Sequence, residues 1–323
     1  MAADLSTMRG LWVENGNAVV RDDIRRPTPK PGWALIEVGL SGVCGTDLQI
    51  LDGYAEFTGI LGHEFVGRVI EGSEPWLGQR VVGEINIGCG ECDQCQRNSR
   101  HCPRRGALGI RELNGSFAEY LVLPERNLHR VPASVSDADA VFVEPLAAAF
   151  HVADHVPQAA AVLVVGDGRL GQLTARALHS AGRAVSVVGR HPSKLARLES
   201  LGIEAGGAAR GTFDVAVECS GNPSGFATAC AALRPEGTLV LKSTFPPPSE
   251  IDASILVVNE ITTVGSRCGP FEPALEALSR GAIEVADLVD ARFALADANQ
   301  ALAQARRPGI IKVLVDSKSL PMP

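Results

Sequence analysis

The sequence has few aromatic residues and no long apolar stretch. Phe, Trp and Tyr make up 5% of the 323 residues. No uninterrupted apolar run approaches the roughly 20 residues that a helix needs to span a bilayer. The first residues contain no apolar segment of the kind that a secretory signal peptide requires. We therefore expect a cytoplasmic protein that does not insert into a membrane.

Positive charge is also scarce. There are 30 Lys and Arg residues against 37 Asp and Glu residues, which gives a formal net charge of −7. Without a basic field, the chain is not expected to bind nucleic acid or an anionic membrane surface. A hydrophobic content of 46% is ample for packed cores, and a chain of this length suits one large or two ordinary domains.

The pattern of apolar residues changes near Pro145. Before it, short runs rich in β-forming residues are separated by Gly and Pro, which indicates a barrel or sandwich of short strands. After it, apolar strands predicted at 161–165, 184–188, 214–218 and 238–241 alternate with helices predicted at 171–180 and 193–200. This alternation is typical of a parallel sheet covered by helices on both faces. The apolar run at 310–315 is a further predicted strand, which we expect to return to the first domain.

Half of the eight cysteines lie within fourteen positions, at Cys89, Cys92, Cys95 and Cys102. In a cytosolic protein, clustered cysteines are more often metal ligands than disulfides. Four thiolates can close a tetrahedral shell around zinc, which suits a structural role and would supply folding free energy to a lobe with little core of its own. An iron–sulfur cluster is the alternative. Ferredoxin-type runs place the fourth cysteine after three residues, whereas six intervene here, so the spacing favours zinc.

A second set of candidate metal ligands precedes the glycine-rich region. Cys44 and His63 are donors suited to zinc, and Glu64 or Glu144 could complete an open, catalytic site with three protein ligands and water. Asp47 is a candidate to accept a hydrogen bond from the other ring nitrogen of His63. Taken singly, a cysteine is more often a small buried hydrophobe, and a carboxylate is more often a solvated surface group. The joint occurrence of these residues favours the metal site.

The segment 166–171 reads GDGRLG and fits the pattern G-x-G-x-x-G. It follows an apolar strand and opens a helix, which is the context that dinucleotide binding requires. The turn is expected to bring backbone amides and a helix N-terminus to a pyrophosphate, with the contributing residues Gly166, Gly168, Arg169, Leu170 and Gly171. An ordinary tight turn and a methyltransferase that uses a similar turn are the alternatives.

The end of the second predicted strand bears on the choice of dinucleotide. An acidic residue there would bind the adenosine ribose hydroxyls, but the sequence has Gly189, Arg190 and His191. Arg190 could pair with a 2′-phosphate bidentately, and Lys194 could add charge. The sequence therefore favours NADP(H) over NAD(H), with a solvated loop arginine as the alternative interpretation of Arg190.

Together these motifs resemble the zinc-dependent medium-chain dehydrogenase/reductase family, which includes alcohol, sorbitol and threonine dehydrogenases. The resemblance runs nearly end to end and is carried by CGTD at 44–47, GHEFVGRV at 62–69, the cysteines at 89–102, VEPL at 143–146, GDGRLG at 166–171 and ECSG at 218–221.

The resemblance implies an α/β protein with a β-rich GroES-like catalytic domain and a Rossmann domain built on a doubly wound parallel sheet. The GroES-like zinc domain is expected at 1–147 and 282–323, with a structural zinc lobe at 86–104, and the NAD(P)-binding domain at 148–281. The family further implies two zinc ions per chain and a homodimer or homotetramer.

The implied activity is that of a zinc-dependent NAD(P)-dependent alcohol dehydrogenase, with a polar secondary alcohol and its ketone as small-molecule substrates. Thr46, Asp47 and Glu64 are the expected catalytic residues, with Thr46 as the first proton relay. Family members often place a histidine three positions after this threonine, whereas this chain has Gln49, which cannot act as a general base. The fourth cysteine of the lobe also departs from the family, which commonly has seven intervening residues rather than six.

Several alternatives stay open on the sequence. The chain could be an NAD-linked alcohol or threonine-type dehydrogenase, a zinc-free quinone or enoyl reductase of the same superfamily, or a zinc- and NADPH-binding thiol redox sensor without turnover. Tyr54, Phe57 and Phe117 could line a substrate pocket or pack in the core. The apolar segment 255–258 could form a subunit interface or belong to the core.

Overall fold

A computed structural model describes residues 6–53, 56–206, 212–244 and 250–318. The chain divides into two units, one of Met1–Glu144 with Val285–Pro323 and the other of Pro145–Glu284. The divisions expected from the sequence lie at 147/148 and 281/282.

Short strands dominate the first unit. In chain order its N-terminal part contains β1 (Thr7–Glu14), β2 (Asn17–Arg25), β3 (Trp33–Gly42), α1 (Gly45–Leu51), β4 (Gly59–Ile60), β5 (Glu64–Glu71), β6 (Arg80–Gly83), β7 (Asn86–Ile87), α2 (Asp93–Asn98), β8 (Gly106–Leu108), β9 (Glu112–Leu113), β10 (Tyr120–Pro124), β11 (Leu128–Arg130) and α3 (Asp137–Ala140). A helix, α4 (Val143–Phe150), runs across the division into the second unit.

The second unit alternates strands and helices. It contains β12 (Ala161–Val165), α5 (Arg169–Ser180), β13 (Ala184–Val188), α6 (Pro192–Glu199), β14 (Glu204–Ala205), β15 (Phe213–Glu218), α7 (Pro223–Ala232), β16 (Leu233–Leu241), α8 (Ser254–Val258), β17 (Thr262–Gly265) and α9 (Phe271–Ser279). The chain then returns to the first unit with β18 (Val289–Ala294), α10 (Ala298–Ala305) and β19 (Lys312–Asp316).

The return of the last strand to the first unit is confirmed. β19 pairs antiparallel with β3 in a sheet ordered β11-β6-β5-β3-β19-β18, with β10 also paired to β3. The pairing of β3 with β5 sets Gly42 opposite Glu64, at the ends of strands that lead to candidate metal ligands. A core cluster that includes Leu11, Ile60 and Val313 packs beneath α1 and α10. The sheet therefore fixes the strand ends on which this site depends.

The doubly wound parallel sheet is also confirmed. Its order is β14-β13-β12-β15-β16-β17, and every neighbouring pair is parallel. The side chains of β12 alternate between two cores: Val162 and Val164 pack in one cluster, and Leu163 and Val165 in the other. A strand buried on both faces needs apolar residues at every position, which explains its sequence AVLVV. The chain order reverses between β12 and β15, and ligands of such sheets bind beyond the carboxyl ends of the strands at this point.

Some element boundaries differ from those predicted. Helix α5 begins at Arg169 rather than 171, and β16 extends back to Leu233. The segment 255–258 lies within the short helix α8, where Val257 and Val258 are 77% and 79% exposed. Among the described residues, no helix combines the length and the apolar character that a bilayer crossing demands.

Candidate functional site

The side chain of Asp47 links two candidate metal ligands in the first unit. Cys44 lies at the N-cap of α1, and its backbone N–H donates to Asp47 Oδ2 at 2.8 Å, which is one half of a capping box. The other oxygen, Oδ1, lies 3.3 Å from Nδ1 of His63, and both side chains are buried. A carboxylate at Nδ1 fixes the ring orientation and leaves Nε2 for a metal.

The electrostatics of this group favour a cation. Burial lowers the pKa of His63, but the charges of Asp47 and Cys44 outweigh burial and raise that pKa well above its usual value. The ligand atoms of Cys44, His63 and Glu64 all lie within 4.8 Å of one another. A thiol, an imidazole and a carboxylate at this separation form a donor set that fits zinc.

Glu64 has a partner that the motifs did not reveal. Its Oε2 accepts a hydrogen bond from the ammonium group of Lys312 on β19, and each side chain is only 1% exposed. Lys312 also lies 5.3 Å from the centre of the Phe142 ring. Gly42 makes room for the carboxylate, since a Cβ at this position would lie 2.5 Å from Glu64 Oε2. A lone lysine within the apolar run IIKVLV is the signal that could have indicated a buried charged partner.

The structure treats two further predicted residues differently. The Thr46 hydroxyl is 3.8 Å from Cys44 Sγ, which places it beside the ligands. Glu144, on α4, is half-buried and is not a member of the group formed by Cys44, His63 and Glu64 among the described residues. Phe57 and Phe117 pack in the core cluster of the first unit, while Tyr54 lies outside the described residues.

The four clustered cysteines converge. The Sγ atoms of Cys89 and Cys95 are 3.7 Å apart, those of Cys92 and Cys102 are 3.8 Å apart, and those of Cys89 and Cys102 are 3.6 Å apart. Zinc–sulfur bonds of about 2.3 Å in a tetrahedron place sulfurs ~3.8 Å apart, so the thiols already have the spacing of a zinc shell. Backbone N–H groups of Cys89 and Gly90 point to Cys102 Sγ and Cys95 Sγ.

The shorter spacing before Cys102 has a structural explanation. After α2, a single 3₁₀ turn at Ser99–His101 brings the chain directly to the fourth cysteine. A 3₁₀ turn is tighter than an α-helical turn, so it suits a connection that is one residue shorter. His101 is exposed and lies outside the group of four thiols.

The glycine turn of the second unit needs its glycines for different reasons. Gly166 has a φ of +119°, which side chains rarely adopt, and a Cβ on Gly171 would lie 1.9 Å from the carbonyl oxygen of Gly166. A Cβ on Gly168 would meet no atom within 4 Å, so hydrogen at this position keeps open the approach to the N-terminus of α5. These are the three roles that the glycines of a dinucleotide-binding turn serve.

A pocket lies beyond the carboxyl ends of β12, β13 and β15. Its lining includes Gly166, Gly168, Gly189, Arg190, His191 and Lys194. Arg190 is exposed, whereas Lys194 is buried. The other predicted residues of the turn, Arg169, Leu170 and Gly171, open α5 and are not among the lining residues.

Asp167 is a lining residue that was not predicted from the sequence. Its Oδ2 accepts the backbone N–H groups of Arg190 at 2.7 Å and His191 at 2.6 Å, and its Oδ1 lies 2.9 Å from His191 Nδ1. Burial raises the pKa of Asp167, but the hydrogen bonds from His191 and from the backbone outweigh it and lower that pKa below its usual value. The acid at the second position of GDGRLG was the signal for this contact.

The opposite wall of the pocket is polar and neutral. Ser220, Asn222, Ser224 and Thr228 line it around the start of α7. Glu218, fully buried at the end of β15, accepts hydrogen bonds from the Ser220 N–H at 2.6 Å and the Gly221 N–H at 3.1 Å. The ECSG motif therefore builds a fixed turn that leads into α7.

Family models match both parts of the chain. Residues 30–133 match the alcohol dehydrogenase GroES-like domain, and residues 170–282 match the zinc-binding dehydrogenase domain. L-threonine 3-dehydrogenase of Coxiella burnetii is 33% identical over 288 residues, which cover 79% of this chain and 80% of that protein. The chain belongs to the zinc-dependent medium-chain dehydrogenase family.

Other relatives of this dehydrogenase extend the comparison. Sorbitol dehydrogenase of Halalkalibacterium halodurans is 29% identical over 322 residues, which cover 90% of this chain and 94% of that protein. A zinc-binding dehydrogenase of Sinorhizobium meliloti, solved with NADP, has a TM-score of 0.88 at 29% identity and covers 96% of this chain and 99% of its own. An Escherichia coli alcohol dehydrogenase, solved with NADH, has a TM-score of 0.87 at 26% identity with the same coverage. The protein is thus a dehydrogenase of the alcohol, threonine and sorbitol type.

Proposed function

We propose that this dehydrogenase transfers a hydride between NADP(H) and a polar secondary alcohol or its ketone, and that it holds two zinc ions per chain. The observation that carries the catalytic assignment is the buried group of Cys44, His63 and Glu64, with Asp47 behind His63. Cys44 and His63 would bind the catalytic zinc with Glu64 or Glu144 as the third ligand. Cys89, Cys92, Cys95 and Cys102 would bind the structural zinc.

Zinc and the nicotinamide would supply the reactive groups, and residues of this chain would orient them and move the proton. When bound, zinc supplies Lewis-acid activation of the alcohol, and the nicotinamide supplies the hydride acceptor. Asp47 holds His63 in one tautomer and orientation. The Thr46 hydroxyl, beside Cys44, accepts the proton of the alcohol and passes it on. Gln49 cannot take that proton as a base, so it leaves the relay through water or another group.

The preference for NADP(H) is supported by the pocket beyond β13. Gly189 supplies no carboxylate to a ribose hydroxyl, and Arg190, His191 and Lys194 line the same pocket. Among the described lining residues, Asp167 is the only acid, and its oxygens are engaged by Arg190 and His191. One charge-assisted hydrogen bond to a 2′-phosphate is worth about 1.5–3 kcal/mol, or a factor of roughly 10–100 in affinity. The solved relatives include complexes with either dinucleotide, so support for NADP(H) comes from these pocket residues.

The polar substrate is proposed by analogy with relatives named threonine and sorbitol dehydrogenases, and from two glutamates in the expected ligand set. We also propose that the protein is a cytoplasmic homodimer or homotetramer.

Metal analysis and dinucleotide titration on one purified sample test this proposal. We expect two zinc ions per chain by mass spectrometry, tighter binding of NADPH than of NADH by fluorescence, and turnover of polar secondary alcohols or their ketones with NADP(H). Iron with visible absorbance, or zinc and NADPH binding without turnover of any alcohol or ketone in a broad panel, would contradict it. The second result would favour the redox-sensor alternative.

A further inference from the structure

Position 189 requires glycine because Asp167 fills the space that the Cβ of any other residue would need. The φ of Gly189 is not in the positive range that demands glycine. A Cβ built on Gly189 would nevertheless lie 2.4 Å from both Cβ and Oδ2 of Asp167, a separation that real Cβ atoms do not show. The two positions are therefore coupled: with Asp167 present, no side chain fits at 189.

This coupling matters because of what position 189 does in dinucleotide-binding folds. The end of the second strand is where an Asp or Glu binds the adenosine ribose 2′-hydroxyl in NAD-linked proteins. In this chain an acid of the glycine turn lies beside that place, and its Cβ and Oδ2 occupy the volume that the Cβ of a strand-end acid would need.

The Asp167 carboxylate is turned toward protein donors. It is 6% exposed and accepts two backbone N–H groups, from Arg190 and His191, through Oδ2. An ionised carboxylate can only accept, so the His191 nitrogen that faces Oδ1 at 2.9 Å, Nδ1, is the donor. The contacts fix the backbone of Arg190 and the ring of His191, both of which line the pocket.

We propose that Asp167 is a positioning residue that selects the 2′-phosphorylated dinucleotide. It orders Arg190 and His191 at the pocket and sterically excludes the strand-end acid that would repel a 2′-phosphate. This inference rests on the proposed preference for NADP(H).

The test uses two ligands that differ only in the phosphate, 2′-phospho-ADP-ribose and ADP-ribose, with dissociation constants from calorimetry on the zinc-loaded protein. Wild type is expected to bind the phosphorylated ligand at least ~10-fold more tightly. The isosteric variant Asp167→Asn is expected to lose most of this ratio, because an amide oxygen cannot accept all three donors. ADP-ribose affinity should change by less than about threefold.

Asp214→Asn is the matched control. Asp214, on β15, accepts the N–H of Ala161 at 2.7 Å and the Nε–H of Arg234 at 2.6 Å, at the opposite, amino-terminal end of β12. The Asp214→Asn variant should be less stable than wild type but should keep the wild-type ratio of the two dissociation constants. An unchanged or larger ratio in Asp167→Asn, or equal weakening of both ligands, overturns the role of Asp167 alone. Selective loss of ADP-ribose would overturn it too, by showing that the carboxylate binds ribose. A wild type without preference overturns the NADP(H) proposal and this inference together.

A double variant that moves the acid from position 167 to position 189 gives an independent test if Asp167→Asn does not fold. The double variant D167G/G189D removes the Asp167 Cβ that blocks position 189 and returns an acid to the strand end. It is expected to prefer ADP-ribose over the phosphorylated ligand. Retention of the wild-type preference would contradict the proposal.

Discussion

One carboxylate, Asp47, ties the start of α1 to the imidazole of His63. Its two oxygens serve different partners, the Cys44 N–H and His63 Nδ1, so its removal affects both candidate ligands at once. At the scale of single residues, this site is organised by such partners as much as by the ligands themselves.

Asp47→Asn should weaken zinc binding at the catalytic site about 10- to 100-fold, because the amide keeps the size of the side chain but not its charge. Chelator competition on the purified protein measures the change. Asp52→Asn is the control, since Asp52 ends the same helix and pairs with Arg306 at the surface. Equal metal affinity in the two variants would contradict the role of Asp47.

The buried pair of Glu64 and Lys312 carries a second prediction. Lys312→Met leaves a buried carboxylate without its cation and should reduce the free energy of unfolding by about 3–5 kcal/mol. Lys318→Met removes a comparable but exposed pair, with Glu37 at 3.2 Å, and should cost about 0–1 kcal/mol. Denaturant unfolding with zinc content measured on the same samples distinguishes them. Similar losses in both variants, or no loss in K312M, would be evidence against a buried pair.

At the scale of elements, the parallel sheet was predictable because its inner strands are rich in apolar β-forming residues, and β12 is buried on both faces. AVLVV and AVSVV stand out from any surface segment, and both are strands with the predicted bounds. The first part of β16 was not predictable, since Leu233–Gly237 contains Pro, Glu and Gly, which are typical of a turn.

Contacts between residues far apart in the chain could not be predicted, because no local sequence pattern indicates them. The ammonium of Lys312 meets a carboxylate 248 positions earlier, and no local pattern records that contact. Asp167 and Gly189 are likewise joined only when β12 and β13 lie side by side. Motifs identified the ligand candidates, whereas their partners became visible only in the folded chain.

The four-cysteine lobe yields a prediction at this scale. Cys95→Ser should remove one zinc per chain and leave the other, and it should expose the lobe at 86–104 to proteolysis, because the metal supplies the folding free energy of this lobe. Cys230→Ala is the control, since Cys230 is a buried thiol on α7 in an apolar cluster. Mass spectrometry of metal content and of proteolytic fragments gives both readouts. Two zincs in the Cys95→Ser protein would contradict a Cys₄ site.

At the scale of the whole molecule, the exposed apolar side chains are unevenly placed. Of the large hydrophobic residues that are exposed among the described ranges, Ile251, Val257 and Val258 lie within eight positions of one another, and they shortly precede β17, the edge strand of the parallel sheet. An apolar patch next to an unpaired strand edge is costly to leave in water and is typical of a subunit interface. This placement supports the proposed homo-oligomer.

Charges on α8 should therefore shift the assembly toward smaller species. Burial of one Val side chain contributes about 1.5–3 kcal/mol, so the double variant V257K/V258K is expected to weaken subunit association by at least ~100-fold. Sedimentation velocity across a concentration series measures the change. Leu77→Lys is the control. It places a charge at a 52% exposed apolar position in the first unit and should leave the sedimentation coefficient unchanged. A monomeric wild type would rule out the homo-oligomer. An oligomer that survives both substitutions on α8 would instead locate its interface elsewhere, away from the edge at β17.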